Sequence, residues 1–321
     1  MSFPLFHRPG TIVFLDDDPD YLEMLALVLP RQWHVRLFVH PQDCIAKLRA
    51  EPPFWEADAW NQQDMIDQWR NGRPLVPQIL DYWARATERY ALTRVGVVDF
   101  SMPGMDGLQV LSELSEWSGA RVLLTGQADE QVAVNAFNRG LIEQFIAKQM
   151  PDMSRHLVQV MQRLLATPHP RHAQTWRATL TPDHHAVLRE PTVAQELAEF
   201  ASRRWIEHVV VGEPFGVLGL DAAGFASWLQ LEAPKDLPGL AEVAAIAGVK
   251  GPLVEDIALG RKLANVELAA VLQRPVLVSD AIAFGSQQEL LGAMFDLPHA
   301  AVGDGCYSRW LGRQSRRRVD A

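Results

Sequence analysis

The sequence predicts an α/β protein: a parallel sheet with helices on both faces, followed by a second domain of α+β type. Three observations carry that prediction. Short runs are apolar on consecutive positions rather than on alternate ones, as in strands buried on both faces. Each run is followed by a segment of helical periodicity, the order that builds parallel sheets. After Leu165 the periodicity gives way to a stretch rich in Pro, His and Thr, and at 321 residues the chain exceeds the usual size of one domain.

The first strand is TIVFL (11–15), ending in Asp16, Asp17 and Asp18. Pro19 suits a first helical turn, and Tyr21, Met24, Leu25 and Val28 then repeat at helical spacing. HVRLFV (34–39) is the second strand, and PQDCIAKLRA (41–50) opens a helix with Pro and Asp near its start. RVGVVDF (94–100) is the third strand, followed by a Pro-Gly turn and the helix GLQVLSELSEW. ARVLLTG (120–126) is the fourth, with the helix DEQVAVNAFNRG ending at Gly140. LIEQFIAK (141–148) is the fifth, closed by the helix PDMSRHLVQVMQRLL with Met153, Leu157, Val160, Met161 and Leu164 on one face. In such a sheet the functional crevice lies at the carboxyl ends of the strands.

One interval exceeds a minimal unit of this kind. Residues 51–90 hold Trp55, Trp60, Trp69 and Trp83 in two expected helices, about 55–70 and 75–90, separated by the turn signal NGRP. Such an insertion is expected to be a helical hairpin packed on its own domain; the alternative is an exposed aromatic docking surface. The predicted boundaries are 1–166 for the first domain, with the insertion at 51–90, 167–191 for a linker, and 192–321 for the second domain. That domain begins with the helix TVAQELAEFASRRWIEH. It continues as an antiparallel meander, HVVV, FGVLGL and FASWLQLEA, then as helices from Pro238, and ends in the basic run RQSRRR (313–318).

Composition excludes several classes. Hydrophobic residues at 48% and charged residues at 21% are ordinary for a globular chain. A net charge of −9 argues against broad attraction to nucleic acid or anionic membranes. Cys44 and Cys306 lie far apart with no C-x-x-C spacing, so neither a disulfide framework nor a zinc site is expected. No secretory leader and no membrane-length apolar run is apparent, and a cytoplasmic location is expected. His169, His172, His184 and His185 fall in the expected linker without an acidic or cysteine partner at metal-binding spacing, and read as solvated side chains. His184 or His185 as a phosphotransfer histidine lacks a flanking four-helix-bundle pattern.

The chemistry concentrates elsewhere. VGVVDFSMPGMDG (95–107) delivers one carboxylate, Asp99, to the end of an apolar strand, where a charge is costly unless paired or bound to a metal. With the loops after the first and third strands side by side, Asp16 and Asp17 meet Asp99, and hard oxygen ligands of this kind suit Mg²⁺. A carboxylate so placed can attack a phosphoryl group, given a cation and a hydroxyl donor for its other oxygens. Lys148 and Thr125, at the ends of the fifth and fourth strands, are positioned for those roles. Asp18 and Asp20 suit helix capping or solvent.

The acidic pair in FLDDDPD, the strand VVDFSMPGMDG, the hydroxyl of LLTG and the lysine of FIAK, in that order, make residues 10–166 resemble the receiver domain of two-component response regulators. The resemblance implies a flavodoxin-like five-stranded sheet of order 2-1-3-4-5. It makes Asp99 the phospho-acceptor, with Asp16, Asp17 and the Ser101 carbonyl as Mg²⁺ ligands. Lys148 and Thr125 become phosphoryl-binding groups, and Phe145 the aromatic switch residue. It implies a partner histidine kinase or phosphotransfer protein and a phospho-accepting signalling protein rather than a conventional enzyme. Two departures stand out: Gln149 rather than proline follows Lys148, and the tryptophan-rich insertion precedes the third strand. Residues 192–321 match no effector signature, neither P-loop, GGDEF-like, EAL-like nor HD. A protein-interaction module with a downstream protein partner, serving also for homodimerisation, is the first expectation. A small-molecule sensor built on the meander and DNA binding through RQSRRR are the alternatives.

Overall fold

The computed structural model of the protein describes residues 2–126, 130–167, 169–297, 302–314 and 319–320. Two compact units emerge. One comprises residues 9–60, 88–167 and 310–321, the other residues 1–8, 61–87 and 168–309. These units do not follow the boundaries read from the sequence, because the chain passes between them five times, at 8/9, 60/61, 87/88, 167/168 and 309/310.

The first unit is built on strands β1 (Thr11–Leu15), β2 (His34–Phe38), β3 (Thr93–Asp99), β4 (Ala120–Thr125) and β5 (Gln144–Ala147). All pair in parallel in the order 2-1-3-4-5, with Val13 opposite Gly96 and Leu124 opposite Asp99. A sixth strand, Val319–Asp320, lies parallel to β2 at the edge, an addition absent from the sequence expectation. Alternate strand residues feed two separate cores. Ile12, Phe14, Val95, Val97 and Leu124 share one with helix α1 (Pro19–Val28). Val13, Leu15, Val98 and Leu123 share the other with α2 (Pro41–Arg49). Both faces are thus buried, which is why these strands read as unbroken apolar runs.

Helix α3 (Pro52–Arg70) starts in this unit and ends in the other, where α4 (Leu75–Arg85) follows. Helices α5 (Gly107–Ser112), α6 (Glu130–Asn138) and α7 (Met153–Ala166) complete the first unit's covering. On α7 the expected stripe holds for Met153, Leu157, Val160 and Met161, with Leu165 rather than Leu164 fully buried. On α1 it is displaced: Leu22 and Leu25 are buried, whereas Met24 and Val28 are about half exposed. The stripe that packs is therefore rotated from the one read off the sequence, and Tyr21 is left at its margin.

The second unit overturns two expectations. The tryptophan-rich insertion does not pack only on its own domain: Ile66, Leu75, Val76, Ile79 and Trp83 share a core with Val209, Leu218 and Trp228 of the antiparallel sheet. The expected linker is folded, with helices α8 (Pro170–Arg177) and α9 (Pro182–Val187), and the reading of its histidines as solvated fails with it. His172 is buried, His169 caps α8, and His184 stacks on Phe215 with ring centroids 3.8 Å apart. Helix α10 (Pro191–Ser202) then leads into β6 (Glu207–Gly212), β7 (Phe215–Leu220) and β8 (Ala226–Glu232), the antiparallel meander the sequence predicts.

Helices α11 (Leu237–Ile246) and α12 (Gly251–Ala258) follow as expected, and a further helix, α13 (Val266–Leu272), lies in the stretch expected to be less regular. The less regular remainder contains strands the sequence did not announce. The strands β9 (Lys262–Ala264) and β10 (Val278–Asp280) pair with each other, while β11 (Ile282–Phe284) and β12 (Leu290–Asp296) extend the meander beyond β8. The short strand Phe6–His7 closes its opposite edge against β6. Here too alternate residues serve two cores: Val209, Leu218 and Trp228 face Trp83 and Trp176, and Val210, Val217 and Leu229 share the other with Leu197 and Trp205.

The last helix, α14 (Tyr307–Arg313), carries Trp310 into the first unit. Its indole has no solvent exposure, meets the His34 ring edge-on at 4.8 Å, and donates Nε1–H to Glu88 Oε2 at 3.1 Å. Arg313 and Gln314 of the basic run are described, and residues 315–318 lie outside the described residues. Trp310→Ala should cost about 3–5 kcal/mol, as large aromatic truncations in a core do. A lowered unfolding midpoint in urea or on heating checks it, and a change within about 0.5 kcal/mol would deny this segment a place in the core.

Candidate functional site

The carboxyl ends of β1, β3, β4 and β5 bring together the residues singled out from the sequence. Parallel pairing with a two-sided core forces Asp16 and Asp99, the first residues beyond their apolar runs, to the same sheet edge. Asp16 is 2% exposed and Asp99 3%, whereas Asp17 is exposed. One carboxylate oxygen from each of the three lies within 4.8 Å of the others, an acidic cluster with the donor set a hard divalent cation takes.

Local hydrogen bonds hold the acids. Asp16 accepts from the Asp18 amide at 3.1 Å, and Asp99 Oδ2 accepts from the Ser101 amide at 3.1 Å, which keeps the Ser101 backbone beside that carboxylate. Asp18 caps α1 through the amides of Asp20 and Tyr21, as its position before Pro19 suggests. Behind Asp99 the turn closes with the Gly107 amide donating to the Phe100 carbonyl at 3.0 Å. A Cβ at Gly107 would stand 2.3 Å from the Asp99 carbonyl oxygen, so glycine is what lets α5 begin against β3.

Lys148 ties the acids together. Its Nζ lies 2.7 Å from Asp16 Oδ2 and 2.7 Å from Asp99 Oδ1, and its amide donates to the Thr125 carbonyl at 2.9 Å. Burial works against the ammonium, but the bonds to Asp16 and Asp99 outweigh it and hold Lys148 above its ordinary value. Burial pushes the Asp16 carboxyl up, and Lys148 and the Asp18 amide pull it only part of the way back. One ammonium shared between two buried carboxylates does not offset the desolvation of Asp16.

Thr125 is fully buried, and its hydroxyl has no hydrogen-bond partner. A buried unsatisfied hydroxyl at a strand end fits an oxygen-rich group that arrives during function. Phe145 is half-buried, stands opposite Leu123 and belongs to the α6 side of the core. Sequence reasoning missed Tyr21, read as a core residue of α1: Lys148 Nζ lies 4.6 Å from the centroid of its ring. Its signal was its place in the first helical turn directly after the acidic run.

Comparison with known proteins rests on structure. No protein-family model and no curated protein matches the chain. The response regulator LqsR of Legionella pneumophila has a similar fold over 98% of this chain and 98% of its own, with a TM-score of 0.69 and 22% identity. Receiver domains from Clostridium thermocellum (14% identity) and from an HD-domain-containing protein of Pseudomonas fluorescens Pf-5 (17%) align with 49% of this chain and with 94% and 95% of theirs, each at a TM-score of 0.31. At these identities the likeness to LqsR is one of fold: a flavodoxin-like receiver sheet and a separate antiparallel sheet.

The raised carboxyl of Asp16 carries a stability prediction. A carboxyl whose folded value exceeds its unfolded one favours the fold only at low pH, and that contribution is lost as pH rises through the folded value. Asp16→Asn in the presence of a chelator should therefore melt above the unaltered protein at pH 7, with about 2–4 °C expected per kcal/mol at this size. The advantage should shrink as pH falls towards 3.8 and vanish below it, where Asp16 is protonated in both states. Thermal melts across that range test it, and a lower melting point at pH 7 would contradict it.

Proposed function

We propose that the protein is a two-component response regulator in which Asp99 accepts a phosphoryl group and switches the receiver unit. The observation that carries the reading is the conjunction at one sheet edge of Asp99, the Lys148 ammonium 2.7 Å from it, two further acids and the partnerless Thr125 hydroxyl. In the transfer, an Asp99 oxygen forms a bond to phosphorus while the bond from phosphorus to the donor breaks. A histidine of a kinase or phosphotransfer protein leaves as neutral imidazole after protonation, and a small acyl phosphate leaves as its carboxylate. Asp16, Asp17, Asp99 and the Ser101 carbonyl would hold Mg²⁺, which when bound neutralises charge on the phosphoryl oxygens. Lys148 balances the negative charge on Asp99 and its new group, and Thr125 donates its hydroxyl to a phosphoryl oxygen.

The new charge and acceptor oxygens draw Thr125 inward and let Phe145 repack, shifting a two-state equilibrium. Among the described residues no helix is long and apolar enough to cross a membrane. A cytoplasmic phospho-accepting protein with a downstream protein partner, acting alone or as a homodimer, accords with these features. One observation favours a second reading, that the antiparallel unit senses a small molecule. A cavity of about 480 Å³ opens beside Trp205, Phe225 and Met294, with Arg204, Asp221 and Asp296 at its polar side. Incubation with acetyl phosphate and Mg²⁺ should label the protein once, at Asp99, and Asp99→Asn should reduce labelling to background. Labelling of that variant at the unaltered level sinks the assignment.

A further inference from the structure

Among the described residues, Thr125 and Tyr21 each bury a side-chain hydroxyl that meets no hydrogen-bond partner. Both belong to the acidic site. The Thr125 hydroxyl already has a role in the reading above. That of Tyr21 does not, and its position is no accident of loose packing. Asp18 caps α1 and accepts from the Tyr21 amide at 3.1 Å, which fixes the first helical turn directly after the acidic loop. The ring then lies beside Lys148, with the ammonium 4.6 Å from its centroid, within the range of a cation–π contact. The same ammonium touches Asp16 and Asp99 at 2.7 Å each. Tyr21 is thus a third neighbour of the Lys148 ammonium.

The phenol is also a secure donor. Burial, and then the negative charges of Asp16 and Asp99, push it above its ordinary value, so it keeps its proton. A buried donor left without an acceptor costs stability. Such a cost is characteristic of functional sites, where an incoming group supplies the missing acceptor. A phosphoryl group on Asp99 brings three acceptor oxygens beside the Lys148 ammonium, against which the Tyr21 ring lies.

We infer that Tyr21 is a further phosphoryl-binding residue: its ring positions the Lys148 ammonium, and its hydroxyl donates to an oxygen of the group carried by Asp99. The inference rests on the response-regulator reading. It adds a donor on α1, the helix that follows β1, and so couples the first helix to the state of Asp99.

The test uses the full chain with Tyr21→Phe, which keeps the ring and removes the hydroxyl, and Tyr21→Leu, which removes both. Labelling by acetyl phosphate and Mg²⁺ is followed beside thermal melts with and without Mg²⁺ and beryllofluoride, a phosphoryl mimic. Tyr21→Phe should melt at or above the unaltered protein when unmodified, because an unsatisfied hydroxyl is gone. Its labelling rate should fall about fivefold, the worth of one hydrogen bond of about 1 kcal/mol. Its gain in melting temperature with beryllofluoride should shrink in step, and Tyr21→Leu should label more slowly still. A residue that merely packs would give the opposite pattern: an unmodified Tyr21→Phe that melts lower, with labelling and beryllofluoride gain unchanged. Either half of that result overturns the inference while leaving Asp99 as acceptor. Absence of labelling in the unaltered protein overturns the underlying reading, and this inference with it.

Discussion

The constraint on which the site depends is the sharing of one ammonium between two buried carboxylates. Asp16 and Asp99 sit at the ends of neighbouring parallel strands because both strands are apolar to their last residue and both stop at the same edge. Two carboxylates so close, with a third beside them, repel one another and lose solvation. Lys148 at 2.7 Å from each relieves part of that cost and leaves part, as the raised carboxyl of Asp16 records. The pocket is therefore held away from its own electrostatic optimum. Stability given up at this edge is returned by the cores on either side of the sheet.

The same physics shapes the rest of the molecule. Both sheets are buried on two faces, so each strand must satisfy two cores at once, and helices have to be recruited to cover four surfaces. The chain meets that demand by lending elements across its units. The insertion contributes Ile66, Val76, Ile79 and Trp83 to the antiparallel unit, and the end of the chain contributes Trp310 and an edge strand to the parallel one. A consequence is that neither unit is a contiguous piece of sequence. Of the boundaries placed by composition, the one at 166 falls beside the crossing at 167/168, whereas the one at 192 lies inside a unit and the crossings at 8/9, 60/61, 87/88 and 309/310 leave no mark in composition.

How much could be read in advance follows from the range of the interactions involved. The five parallel strands were legible because burial on both faces writes itself into consecutive residues: Thr11–Leu15 and Thr93–Asp99 are buried throughout. Asp16, Asp17, Asp99, Thr125 and Lys148 were legible because each ends such a run, so locating the strands located the site. The meander from Glu207 to Glu232 was legible for the same reason. By contrast, the strands from Lys262 to Phe284 are three residues each, too short to show a period, and only their pairing reveals them.

What the sequence by itself determined is the order of elements and the residues that end each strand, since both are set by the local alternation of apolar and polar groups. The tertiary structure alone decided who shares a core and who meets at the strand ends. Tyr21 shows the difference. By spacing it is one more apolar residue on α1; its ring meets Lys148, distant in sequence, only once five strands have been laid side by side. Trp83, Trp310 and His172 were likewise visible as residue types and unreadable as neighbours. Periodicity records whether a side chain is buried, and the partner it is buried against is fixed by contacts that no local pattern contains.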